Sequence, residues 1–88
     1  MSKKLKVFGG GIFYGIPRKQ VRILVASYTK KQAVELLSTV NGSINYTHFN
    51  NYYCETGNSV ELSVATEVGM WINVNKYVEP KIEDYTKL

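Results

Sequence analysis

Apolar and polar positions alternate at the start of the chain, with Leu5 and Val7 on one face and Lys4, Lys6 and Phe8 on the other. That is the two-residue period of a half-buried strand, which the pattern predicts from about Leu5 to Tyr14. Gly9, Gly10 and Gly11 interrupt the run and predict a bend or bulge there. Gly15 and Pro17 mark a turn, after which Gln20 to Tyr28 reads as a second strand. Val21, Ile23 and Val25 fall on one of its faces and Arg22, Leu24 and Ala26 on the other. Both faces are largely apolar after Arg22, as expected of a central strand. Residues 8–28 therefore read as a hairpin with a Gly-rich, basic connection.

The period then changes. Thr29-Lys-Lys-Gln32 has the form of a capping box, and Ala33, Leu36, Leu37 and Val40 follow at helical spacing up to a stop at Asn41-Gly42. Ser43 to Asn58 has no clean period, and its middle reads as either a short helical turn or an extra strand. Asn58-Ser-Val-Glu61 is a second capping box, opening a short helix through Val60, Val64, Ala65 and Val68 with Gly69 as its stop. Met70 to Asn75 alternates again, Met70, Ile72 and Val74 against Trp71, Asn73 and Asn75, and predicts a third strand. Residues 79–88, with Pro80 and mixed charge, read as an irregular tail. The sum is a single α+β domain of two layers in ββα-x-αβ order, with one main helix and one short helix on one face of a three- to four-stranded antiparallel sheet. The open face would carry Phe8, Tyr14, Trp71 and some of the tyrosines at 46, 52, 53, 77 and 85, and an exposed aromatic face marks an interface.

Charge sharpens this picture. The chain has a net charge of +4, but residues 1–31 carry eight Lys or Arg and no acid, while residues 32–88 carry three bases and seven acids. Such separation creates a local field that attracts anions. The same lysines also suit the solvated faces of edge strands. Cys54 is the lone cysteine, which excludes an internal disulfide framework and fits a reducing compartment. No apolar run approaches the length of a membrane span and the basic start lacks the apolar stretch of a signal peptide, so the expected location is the cytoplasm.

No motif supplies a catalytic constellation or a cofactor site. The three glycines are followed neither by Lys-Ser/Thr nor by a helix, so the phosphate-loop and dinucleotide patterns fail. His48 has no placed partner and reads as an incidental or packing residue, and Cys54 reads as a small buried hydrophobe rather than a nucleophile. Arg18, Lys19 and Arg22, interleaved with Phe13, Tyr14 and Tyr28, do combine cations for phosphate with rings for stacking. Glu55-Thr-Gly-Asn58 adds a polar turn ahead of a helix N-terminus, next to Tyr52 and Tyr53, where free backbone N–H groups could meet an anion. The candidate binding residues are thus Gly10, Phe13, Tyr14, Arg18, Lys19, Arg22, Tyr53, Glu55 and Asn58, with the turn lying beside the hairpin.

Several of these segments, namely Phe8 to Phe13, Gln20-Val21-Arg22, Val25-Ala26, Lys30 to Leu37 and Tyr52 to Asn58, together resemble small, mostly uncharacterised accessory proteins of bacteriophages. The resemblance spans about residues 5–74. It implies a cytoplasmic, non-enzymatic protein that inhibits a host enzyme, blocks a defence component or sequesters an anionic ligand such as a signalling nucleotide. A nucleic-acid-binding module using the basic strands is the alternative, although the acidic remainder is unlike an extended phosphate track. Either kind can act as a monomer or a homo-oligomer.

Overall fold

The computed structural model describes residues 4–40, 42, 44–73 and 81–88. Its strands are β1 (Lys6–Tyr14), β2 (Lys19–Ser27), β3 (Cys54–Glu55), β4 (Gly69–Asn73) and β5 (Tyr85–Lys87), and its helices α1 (Lys30–Leu37), α2 (Tyr46–Tyr52) and α3 (Ser59–Val64). The strands form one antiparallel sheet in the order β3-β1-β2-β4-β5. The α+β class is as expected, but among the described residues the sheet has five strands and the α-helices number three. The unreadable segment holds both alternatives at once, α2 followed by β3. The expected irregular tail instead contains a 3-10 turn (Ile82–Asp84) and β5, which pairs with β4 and buries Tyr85.

β2 is central, and its residues from Ile23 to Ser27 are sealed from solvent on both faces. Val21, Ile23 and Val25 join Phe8, Ile12, Met70 and Ile72 under Ala33 and Leu37 of α1 and Phe49 of α2. Leu24 and Ala26 join Val7, Trp71, Tyr85 and Ala65 on the opposite face, with Val60 and Val64 of α3 packed against them. The sheet is therefore covered on both faces, which corrects the expectation of an open aromatic face: Phe8 and Trp71 are core residues. Burying two faces rather than one removes more apolar surface from water per strand, the main favourable term for a chain this short.

Local signals explain most boundaries. The Thr29 hydroxyl accepts from the Gln32 N–H, and the Gln32 side chain accepts in turn from the Tyr28 N–H at 2.9 Å, so a box forms one residue out of the ideal register. α1 ends at Leu37, before the expected Asn41-Gly42 stop, of which Asn41 lies outside the described residues. Asn45 caps α2 by accepting from the His48 N–H. α3 ends at Val64, earlier than its expected stop, and Gly69 instead opens β4. The expected positions Val74 and Asn75 of the third strand fall outside the described residues.

β1 runs through Gly9, Gly10 and Gly11 without a bulge, each paired in unbroken register with Leu24, Ile23 and Arg22. What the first two glycines supply is space. A Cβ on Gly9 would stand 2.4 Å from Nη2 of Arg22, and one on Gly10 would stand 2.3 Å from the ring of Tyr53. Gly15, with φ at +95°, takes the left-handed position in the turn that closes the hairpin.

Candidate binding groove and the polar cluster beside the hairpin

Arg22 is the polar residue of an otherwise apolar stretch of β2, and the fold answers it with a polar cluster drawn from α3, β4, β5 and the loop after β3. Its guanidinium donates to Glu61 of α3 through Nε at 2.5 Å and Nη2 at 3.0 Å. The same carboxylate accepts from the Thr56 hydroxyl at 2.5 Å and from the Tyr85 hydroxyl at 2.6 Å. Tyr85 is bonded in turn to Asn73 of β4. Glu61 is only 2% exposed, so its charge survives because every approach to it is occupied by a donor. Burial alone pushes this carboxyl up, but the hydrogen bonds from Arg22, Thr56 and Tyr85, together with the Arg22 charge, outweigh burial and hold it at about 2. Burial, and then the bond to Glu61, push the Tyr85 hydroxyl up to about 12. The bond to Glu61 raises Arg22 further.

This cluster changes the standing of several expected binding residues. Arg22 is neutralised by a bidentate partner and is not a free cation at the hairpin. Glu61 was expected to close a capping box; it turns its side chain into the sheet instead, and Asn58 alone caps α3. The Asn58 side chain accepts from both the Val60 and Glu61 N–H groups, at 2.9 and 3.2 Å, so two of the expected free donors at that helix start are already used. Tyr53 is buried flat against Gly10, stacked on Phe49, and its hydroxyl donates to the Gly11 carbonyl at 3.3 Å. Glu55 is exposed on β3, which pairs with β1 at Phe8 and Gly9. The turn does lie beside the hairpin, but through Tyr53 and β3 as structural joints.

The other end of the hairpin is different. Phe13 is 63% exposed, and Tyr14, Arg18 and Lys19 are exposed with it. The ion pairs among the described residues are Arg22–Glu61 and Lys87–Glu67, which leaves Arg18 and Lys19 without a carboxylate there. A groove of about 370 Å³ opens at this end. Gly11, Ile12 and Phe13 of β1, Arg18 of the turn and Gln20 of β2 line it on the hairpin side, and Val40, His48 and Tyr52 on the helical side. α2 is held against the sheet by Phe49, whose ring meets that of Phe8 edge-on at 5.0 Å. That docking presents His48 and Tyr52, one helical turn apart, to the groove with their rings 4.7 Å from centroid to centroid.

Phe13 and Arg18 were anticipated as binding residues and the fold brings them to this groove. Lys19 and Tyr14 lie next to it in sequence, while Gly10, Arg22, Tyr53 and Asn58 serve the fold. His48 was anticipated only as packing, and Tyr52 was not singled out as a binding residue. Their four-residue spacing behind the Asn45 cap was the available signal. Among the described residues no three His, Cys, Asp or Glu side chains gather as a metal site would require, and no helix is long and apolar enough to cross a membrane. The chain matches no protein-family model, no curated protein and no solved structure at significant similarity.

Proposed function

We propose that this chain is a small binding protein of the phage-accessory kind, acting in the host cytoplasm by occupying a host or defence component, or an anionic ligand, through the free end of its hairpin. The observation that carries this reading is the groove in which Arg18, Gln20, His48, Phe13 and Tyr52 meet. Those groups bind rather than transform. They offer a cation, an amide, an imidazole and aromatic surface, while the best-held carboxylate among the described residues, Glu61, is spent on Arg22. A pocket with apolar walls and a few converging polar groups is the usual form of a ligand site.

The test is capture from bacterial lysate, followed by mass spectrometry of retained proteins, nucleic acids and small molecules. Wild type is compared with a Phe13→Ala, Arg18→Ala, Tyr52→Ala triple variant and with a Lys30→Ala, Lys31→Ala control. A component lost with the triple variant and kept by the control supports the reading. Equal recovery by wild type and the triple variant contradicts it. A nucleic-acid role is the second reading, favoured by the exposed rings beside Arg18 and Lys19. It requires retention that falls by orders of magnitude between about 50 and 200 mM salt.

A further inference from the structure

We propose that the hairpin-end groove takes one nucleoside monophosphate, with the base on the His48–Tyr52 ledge and the phosphate on Arg18. This rests on the binding reading above and names the ligand chemistry for that same groove. Tyr52 is 66% exposed, so its ring is not used by the core, and its partner His48 is half-buried beside it. The two rings, from successive turns of α2, lean on each other at 39°, and the exposed Tyr52 ring offers a surface on which any base can stack. Arg18 lines the same groove and has no acidic partner among the described residues, leaving its planar fork available for a phosphate. Gln20 contributes an amide that can both donate to and accept from a base edge.

Size separates a monomer from a strand. About 370 Å³ lies near the lower bound of roughly 300–1,000 Å³ for small-molecule sites, room for one nucleotide but not for a run of them. A strand also needs cations spaced along its path. Here Arg22, the next arginine along the hairpin, is already committed to Glu61. Free nucleotide and the end of a single strand share this chemistry, so the test contains both.

The experiment is an amide NMR titration of the full chain with AMP and UMP, beside adenosine, ribose 5-phosphate and a thymidine oligonucleotide of about ten residues. The expected result is saturable one-to-one binding of the monophosphates, with shifts at Gly11, Arg18, His48 and Tyr52. Adenosine and ribose 5-phosphate, each missing one half, should bind at least about tenfold more weakly. Arg18→Ala and Tyr52→Ala should each weaken AMP by about tenfold or more, whereas Tyr52→Phe retains binding. Both positions are exposed, and unchanged melting temperatures verify that the variants fold. The proposal is overturned if the groove amides do not move with AMP or UMP at millimolar concentration, if adenosine binds as well as AMP, or if the oligonucleotide binds far more tightly than UMP. Should nucleotides fail while lysate capture still depends on the groove, this ligand class falls and the binding reading stands; should capture be indifferent as well, both fall.

Discussion

Arg18 and Arg22 belong to the same hairpin and carry the same charge, yet the fold treats them in opposite ways. Arg22 points to the face covered by α3 and is held by a buried carboxylate that three donor side chains share. Arg18 stands exposed beside an aromatic groove with no acid near it among the described residues. A basic run in a sequence therefore does not count the cations available to a partner. Each cation has to be followed to its neighbours, because pairing with a buried carboxylate neutralises a charge that the sequence alone would count as free.

The largest effect is expected at Glu61. Glu61→Ala leaves Arg22 half-buried without its counter-charge and takes the acceptor from Tyr85 and Thr56, so equilibrium unfolding should show a loss of about 3–5 kcal/mol. A loss under about 1 kcal/mol would reduce the cluster to a surface ion pair. Acid offers a second way to remove the same charge. Glu61 is held at about 2, below its ordinary 4.5, so the folded state binds fewer protons than the unfolded state in that interval. Its contribution, on the order of 3 kcal/mol, is complete above pH 4.5 and disappears as the pH falls from there through about 2. Glu61→Gln should flatten the acid limb of the stability profile, and an unaltered limb would assign it to other carboxylates.

A smaller effect is expected where the glycines meet the turn. Gly10→Ala puts a methyl group inside contact distance of the Tyr53 ring and of the Tyr52 carbonyl, at 2.3 and 2.8 Å, and the ring or strand has to move. Overpacking of this kind costs about 1–3 kcal/mol, read as a shift in the denaturation midpoint without a change in its slope. It also perturbs the ledge, because Tyr52 is the residue next to Tyr53, so the groove amides should shift in NMR spectra of the variant.

How much of this could be read from residues alone follows from how local each signal is. The α1 stripe and the Thr29 cap, and the central place of β2, were legible because periodicity and capping need only a few neighbouring residues, whereas the covering of the second face was not. β3 and β5 were not, since strands of two and three residues exist only through their pairing with β1 and β4. Gly9 and Gly10 were legible as special positions, but as a bend; that they make room for Arg22 and Tyr53 depends on contacts from elsewhere in the fold. Glu61 occupies the position where a capping-box acid is expected, so nothing local distinguishes a cap from a core ion pair. At the groove, Phe13 and Arg18 were legible as an aromatic-basic combination. His48 and Tyr52 were hidden because their place depends on Phe49 docking α2 onto the sheet.

The division of labour between the two arginines can be measured directly by urea denaturation of Arg18→Ala and Arg22→Ala side by side with wild type. The expected result is a stability within about 0.5 kcal/mol of wild type for Arg18→Ala, an exposed substitution with no ion-pair partner among the described residues. For Arg22→Ala, which strands the buried Glu61 carboxylate, the expected loss is about 3–5 kcal/mol. Similar losses for the two variants, or a larger loss for Arg18→Ala, would contradict the assignment of Arg22 to the fold and of Arg18 to the free binding surface.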